Sequence, residues 1–178
     1  KTIAEDIRDN RYLMITLMNM GDSYEKINQL DSAGFLTQLV YDLSVQSDNS
    51  YIRGIALNNL GNIYSKMGKN DTAIKYFRQS LPDLVTENND DALCEATIGI
   101  AKLFMKSSQA DSALYYARKS LLVAEKSGFT KHILSAGDFL FTYYESIRLI
   151  DSAYAYQKIS VAAKDSLFNQ EKVRASQN

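Results

Sequence analysis

The chain has 178 residues, of which 46% are hydrophobic and 23% charged, a balance typical of folded globular proteins. Its 20 basic and 21 acidic residues are interspersed, whereas nucleic-acid binding needs a basic stripe, so we expect this region to bind no nucleic acid. The single cysteine, Cys94, and the single histidine, His132, exclude an intrachain disulfide and a His/Cys metal site, and we expect no cofactor and no metal.

An Asp-Ser/Thr-Ala triplet recurs four times at a constant interval, since 71 − 31 = 40 and the other two intervals are the same. An aromatic residue stands 33 − 24 = 9 positions before each alanine of a triplet. The triplets begin at Asp31, Asp71, Asp111 and Asp151, and the aromatic residues are Tyr24, Tyr64, Phe104 and Tyr144. A fixed period in this range predicts a solenoid of stacked repeats.

Residues 1–10 are in phase with residues 41–50, which predicts that they are the tail of a second helix from a preceding, truncated repeat. Each later repeat should hold two helices. The repeats are 11–50, 51–90, 91–130 and 131–170, and the predicted helices are 11–27, 31–47, 51–67, 71–87, 91–107, 111–127, 131–147 and 151 onward. Two columns of side chains that can accept a hydrogen bond are predicted to start these helices. They are Asn10, Ser50, Asp90 and Thr130 in one column and Asp31, Asp71, Asp111 and Asp151 in the other.

The second repeat carries its apolar and small residues in the order Leu57-x2-Leu60-Gly61-x2-Tyr64, then Ala73-x3-Phe77. This pattern resembles the tetratricopeptide repeat, which has W-x2-L-G-x2-Y and A-x3-F in the same order. The resemblance covers residues 11–170 and weakens in the fourth repeat, where Gly137 and Phe141 depart from it, so we expect the last helix pair to be splayed or differently packed. It implies an all-α, right-handed superhelix, an α-solenoid of helix pairs with a period of 40 residues. In this family the first helices usually line a concave groove for a peptide or protein segment.

The last repeat lacks the break that ends earlier second helices near Gly128, so we predict a helix running past residue 170, with residues 171–178 starting a connector. The segment 164–172 resembles the end of the repeat array in membrane-anchored regulators of Bacteroidetes-type bacteria. That resemblance implies a periplasmic array, with membrane contact made only by flanking segments, and a histidine kinase or DNA-binding output domain in the cytoplasm. The chain itself has no apolar run long enough to cross a bilayer.

Helical spacing of about 100° per residue places one set of side chains on the open side of the first helices. We expect this set to line the groove: Met18, Asp22, Asn58, Asn62, Ser65, Lys102, Met105, Asp138 and Thr142. The amides of Asn58 and Asn62 could bind a peptide backbone, or they could simply be solvated. Lys102 is the one cation predicted on this side, where the carboxylates are Asp22, Glu25, Glu95, Asp138 and Glu145. A neutral or basic segment is therefore favoured as ligand.

The acidic residues lie in separate repeats with no aligned nucleophile, so we expect no catalytic residue. The sequence therefore favours a non-catalytic, peptide- or protein-binding domain that is the extracytoplasmic sensor of a membrane-anchored regulator. The alternative is a cytoplasmic scaffold or peptide receptor that uses the same groove. Either function is compatible with any oligomeric state.

Overall fold

The structure is a computed structural model that describes the backbone of residues 3–176 and the side chains of residues 10–176. Within this part of the chain there are eight helices and no strand. The helices are α1 (Ile3–Lys26), α2 (Leu30–Gln46), α3 (Ser50–Lys66), α4 (Asn70–Thr86), α5 (Asp90–Lys106), α6 (Ala110–Ser127), α7 (Thr130–Ser146) and α8 (Ile150–Ser176). Every helix between residues 3 and 176 is too short or too polar to be a candidate membrane span. The all-α fold of helix pairs that recur every 40 residues is confirmed.

Each turn between helices is closed by a residue in the left-handed conformation, and these residues are regularly spaced, since 48 − 28 = 20 and so on. They are Asn28, Asp48, Gly68, Asn88, Ser108, Gly128 and Arg148, with φ between 50° and 75°. The next N–H reaches back five residues to a carbonyl in the preceding helix, for example Gln29 N to Tyr24 O at 2.9 Å. This bond satisfies a carbonyl that the helix end would otherwise leave without a partner. The connections are therefore only two or three residues long.

The predicted helix start at Asn10 is wrong, because α1 continues from Ile3 through that position. In later repeats the turn before a first helix is closed by Asp48 or Asn88, and aspartate and asparagine adopt the left-handed conformation at low cost. The equivalent position before Asn10 is Arg8. The adoption of the same conformation by Arg148 shows that residue type alone does not decide. The assignment of residues 1–10 to a preceding repeat stays a prediction.

The capping residues also differ from the prediction. Asn49 accepts a hydrogen bond from Ile52 N at 3.0 Å, and Asn89 accepts one from Ala92 N at 3.2 Å. The predicted caps are already inside the first turns of their helices. Ser50, Asp90 and Thr130 are the first helical residues, and Asp31 and its equivalents are the second. Asp31 and its equivalents are therefore first-turn acids, which interact favourably with the positive end of the helix dipole.

The chain divides into two compact units, Lys1–Ala92 and Leu93–Asn178. In the first unit α3 and α4 approach so closely that the ring of Phe77 packs directly on Gly61. The alanines of the four triplets, which lie near the start of the second helices, are all buried. They are Ala33, Ala73, Ala113 and Ala153.

The aromatic residue of a first helix stacks on a second-helix aromatic residue in three of the four pairs. Tyr64 and Tyr76 have ring centroids 5.2 Å apart in the first unit. In the second unit the pairs are Phe104 with Tyr116 at 5.8 Å and Tyr144 with Tyr156 at 5.5 Å. These stacks join the two helices of a repeat.

The fourth helix pair is packed differently from the others, as the sequence predicted. The close approach between α7 and α8 lies at Gly137, where a Cβ would be 2.7 Å from Ser160 Oγ. Phe141, one turn later, is half-buried against the core that contains Leu140 and Ala153. The two helices are therefore not splayed at Gly137, and a large residue is accommodated at position 141.

The last helix is longer than the other second helices. α8 runs without a break through Ser176 and has 27 residues, compared with 17 in α2 and α4. The prediction that it extends past residue 170 is confirmed.

Candidate functional site

Equivalent positions 18, 58, 98 and 138 form one column of the predicted groove. The first three are wholly or partly buried and do not lie on the open side. Asn58 is only 1% exposed, so its predicted place on the open side is wrong. Met18, one repeat earlier, is half-buried against the cluster that includes Ile52 and Ala56 of α3. In α1 this column therefore packs on a cluster to which α3 contributes.

The second unit shows the same use of this column. Ile98, the equivalent residue of α5, belongs to a buried cluster with Ala136 and Leu140 of α7. Asp138, the equivalent residue of α7 itself, is exposed. The sequence pattern predicted the helices and their spacing correctly. The open side, however, lies one column away from the predicted one.

In the first unit, Asp22, Asn62 and Ser65 are half-buried on α1 and α3. Two polar contacts join the helices on this side. Asn59 Nδ2 lies 3.4 Å from Asp22 Oδ1, and Lys66 Nζ lies 2.8 Å from Glu25 Oε1. These contacts form a polar strip between α1 and α3, which we call the α1–α3 strip: Asp22, Glu25, Asn59, Asn62, Ser65 and Lys66.

Asp22 is a member of the α1–α3 strip whose carboxyl group has a raised pKa. Partial burial raises the pKa of its carboxyl group, and the negative charge of Glu25 raises it further, while Lys26 acts in the opposite direction. Burial has this effect because it disfavours the charged form. The ionised carboxylate is therefore less stable here than in water, and a cation close to it would be favoured.

In the second unit, the predicted residues Lys102, Thr142 and Asp138 are exposed, and Met105 is half-buried. The hydroxyl of Thr142 donates to the backbone oxygen of Asp138 at 2.8 Å, one turn earlier on α7. This hydroxyl is engaged with its own helix.

Two members of the α1–α3 strip were missed by the sequence analysis. Asn59 lies next to the chosen column, and Lys66 follows Asn62 by one helical turn, a spacing that places both on the same face. Lys66 adds a cation where the sequence predicted only Lys102. The i, i+4 relation of Asn62 and Lys66 was the available signal.

A further ion pair missed from the sequence ties α3 to α4. The guanidinium group of Arg53 contacts both carboxylate oxygens of Asp83 at 2.7 Å, which raises the pKa of Arg53. Two parallel bonds of this kind are stronger and more directional than a single contact. They fix α4 beside α3, the helix that supplies four of the six residues of the strip.

The structure gives no indication of a metal site among the residues it describes, where no group of three His, Cys, Asp or Glu side chains could hold an ion. Cys94 is buried, and its carbonyl accepts a hydrogen bond from Ser120 Oγ at 2.9 Å. It packs as a small core residue.

Residues 54–81 match the family model of the tetratricopeptide repeat. The comparison with curated proteins gave no match. Among solved structures, aspartyl phosphate phosphatase F from Bacillus subtilis is similar to this chain with a TM-score of 0.81 at 15% identity. The match covers 90% of this chain but spans only 41% of that protein.

Two other solved structures have the same kind of fold. The Rap conjugation gene regulator of plasmid pLS20, in complex with a Phr peptide, has a TM-score of 0.71 at 16% identity over 90% of this chain and 44% of its own. MamA has a TM-score of 0.64 at 17% identity over 93% of this chain and 86% of its own. At these identities the likeness shows the fold alone. The chain is thus an all-helical array of helix pairs in which residues 54–81 form a tetratricopeptide repeat.

Proposed function

We propose that the chain is a non-catalytic domain that binds a peptide or an extended protein segment on the open side of its first helices. The observation that carries the proposal is the α1–α3 strip, because it presents donors and acceptors from two adjacent first helices. The tetratricopeptide match at residues 54–81 supports the proposal, as does a fold shared with a regulator that was solved with a bound peptide.

The charges of the α1–α3 strip favour a neutral or basic ligand. Lys66 neutralises Glu25 through their 2.8 Å contact, whereas the carboxyl group of Asp22 faces the amide of Asn59. A basic side chain of the ligand near Asp22 would lower the cost of its ionised form. An acidic ligand would add a further negative charge beside Asp22 and Glu25.

The same proposal places the chain outside the cytoplasm, as the input domain of a membrane-anchored regulator. The support is the resemblance of the segment 164–172 to the end of such arrays, together with the unbroken course of α8 to Ser176. In this role a ligand bound to the array would change the position or dynamics of α8, which would pass the change to the rest of the regulator. The competing function is a cytoplasmic scaffold or peptide receptor.

Binding is tested by fluorescence anisotropy with three labelled peptide libraries of equal length that differ only in net charge. We expect the neutral and basic libraries to bind more tightly than the acidic one. The double variant Asn62→Ala and Ser65→Ala should then lose about tenfold in affinity, since each lost hydrogen bond leaves a ligand group unsatisfied. Gln79→Ala, an exposed change on α4, is the matched control. Equal affinities for both variants would move the site away from the α1–α3 strip.

Location is tested with two reporters inserted separately at the turn around Gly128 in the chromosomal gene. One reporter is active only after export and the other only in the cytoplasm. Activity of the exported reporter is the expected result. Activity of the cytoplasmic reporter alone would favour the scaffold function, and the binding experiment would stand independently of that result.

A further inference from the structure

The turn between α7 and α8 exposes apolar side chains in a segment that we call the α7–α8 tip: residues 145–151. Ile147 is 46% exposed, Leu149 51% and Ile150 67%. In the other turns from a first helix to its second helix, the residue equivalent to Leu149 is polar in every case: Gln29, Lys69 and Gln109. Leucine at this position is therefore a feature of the fourth helix pair and not of the repeat.

The exposure of this tip does not come from its place in the last helix pair. The positions equivalent to Ile147 and Leu149 are exposed in the α1–α2 turn, as Ile27 and Gln29, although α3 follows. Both positions are exposed in the α5–α6 turn as well, although α7 follows. A further helix pair after α8 would therefore leave Ile147 and Leu149 exposed.

The backbone holds the side chain of Leu149 in a fixed position. Its N–H donates to Tyr144 O at 3.0 Å, and its carbonyl accepts from Ala153 N at 2.9 Å. Leucine is poorly suited to the position directly before a helix, and Arg148 is in the left-handed conformation at φ 59°. Local structure thus favours neither residue, and residues that break local rules are expected at functional sites. The α7–α8 tip is a rigid apolar surface that the turn itself does not require.

Two carboxylates flank the arginine of the α7–α8 tip symmetrically, since 148 − 145 = 3 and 151 − 148 = 3. Glu145, Arg148 and Asp151 are all exposed. The tip therefore combines an apolar centre with the charge order acid, base, acid. In a twofold contact the same surface patch meets itself, so each group must find its complement within that patch. This tip meets the requirement, because Arg148 of one copy can pair with a carboxylate of the other while the apolar side chains pack together.

We propose that the α7–α8 tip is a contact surface for a second copy of this chain, with which it forms a twofold dimer. Ile147, Leu149 and Ile150 form the apolar centre, and Arg148 of each copy pairs with an acidic side chain of the other. A membrane is a poor occupant, because two carboxylates beside one arginine are repelled by anionic lipid headgroups. The surface is small, so the dimer dissociates readily. The contact is independent of the α1–α3 strip and of the ligand proposed to bind there.

The test is sedimentation equilibrium of the chain over a range of concentrations, in which we expect a monomer–dimer equilibrium. Leu149→Gln introduces a residue found in equivalent turns, and it should raise the dissociation constant by about tenfold or more. Arg148→Gly should also weaken the dimer, and because it relieves backbone strain, a failure to fold cannot explain that result. Val85→Gln is the matched control, because Val85 is 54% exposed on α4, and it should leave the dissociation constant unchanged.

A charge exchange tests the pairing itself. Arg148→Glu leaves the α7–α8 tip with three negative charges, and the double variant Glu145→Arg and Asp151→Arg leaves it with three positive charges. Each variant alone should be monomeric, because like charges would face one another across the twofold contact. An equimolar mixture of the two should form a heterodimer, and Leu149→Gln in both chains should weaken it.

The proposal is overturned if the original chain stays monomeric up to about 1 mM, the limit of weak specific association. Equal effects of Leu149→Gln and Val85→Gln on the dissociation constant would also overturn it, because the dimer would then use another surface. So would a mixture of the two charge variants that stays monomeric. The peptide-binding experiment on the α1–α3 strip keeps its meaning under each of these results.

Discussion

The ring of Phe77 occupies the space that a side chain at Gly61 would fill. A Cβ built on Gly61 would lie 2.5 Å from Cδ1 of that ring and 2.7 Å from two more of its atoms. The packing of α3 on α4 therefore depends on two residues of extreme and complementary size. This relationship explains the glycine in the tetratricopeptide pattern by geometry.

Gly61→Ala should destabilise the protein, although alanine is the better helix former. Removing a glycine from a helix interior favours folding by up to about 1 kcal/mol, but overpacking a close contact costs about 1–3 kcal/mol. We expect a net loss in urea unfolding that shrinks in a Phe77→Ala background. Gly34→Ala is the control, because its Cβ would meet only an ordinary 3.7 Å contact and should be neutral or stabilising. Equal effects of the two alanines would contradict the packing argument.

The left-handed turn positions predict opposite effects for two substitutions. Gly68 has φ 75° with open space around its Cβ position, so Gly68→Ala should lower the free energy of unfolding by about 1 kcal/mol through backbone strain alone. Arg148 already bears that strain at φ 59°, so Arg148→Gly should raise the free energy of unfolding by up to about 1 kcal/mol. Thermal melts of both variants provide the measurement. A stable Gly68→Ala protein would show that the turn can relax.

Asn58 was predicted to contact the ligand, but it is buried, so its replacement should affect stability and not binding. Asn58→Ala should lower the free energy of unfolding by about 1–3 kcal/mol, because truncating a fully buried side chain leaves a cavity in a packed position. Its folded form should bind peptides with unchanged affinity. Asn62→Ala should weaken peptide binding. An Asn58→Ala protein that is as stable as the original but binds ligand weakly would restore the groove predicted from the sequence.

Asp22 predicts a pH dependence of stability. Because burial and Glu25 raise its pKa in the folded state, the folded protein holds this proton more tightly than the unfolded chain. The free energy of unfolding therefore falls as the pH rises from the ordinary aspartate pKa through the raised one. Asp22→Asn keeps an acceptor for Asn59, and it should be more stable than the original at neutral pH.

That advantage should disappear below the ordinary pKa of aspartate, where Asp22 is protonated in both states. Urea unfolding at a series of pH values provides the measurement, with Asp138→Asn as an exposed control. A constant difference between Asp22→Asn and the original across the pH range would show that ionisation of Asp22 is not the cause.

The helices and their phase could be predicted because the repeat fixes them. The Asp-Ser/Thr-Ala triplets place the second helices within a residue of their observed starts, and the burial of Ala73 follows from the same alignment. The continuation of α8 could be predicted from the missing turn residue near position 168. These features depend on local sequence alone.

The open side of the first helices could not be predicted from one helix at a time. Asn58 is polar and lies beside a known core stripe, so a helical projection leaves it exposed. The packing becomes visible only with the neighbouring repeat, since Met18 lies against a cluster that includes Ile52 and Ala56 of α3. The contacts of Asn59 and Lys66 have the same origin, because each connects two helices that are 37 or more positions apart in sequence.

The even spacing of the left-handed turns limits how a gene for such a chain can change its length. Every connection is only two or three residues long, so no loop can absorb an insertion that shifts one helix along another. A tandem duplication of one 40-codon unit, with 68 − 28 = 40 as the interval between equivalent turns, would preserve the order of first and second helices. A duplication of half that length would put a second helix where the next repeat needs a first one. Lengthening of the encoded chain is thus restricted to whole helix pairs.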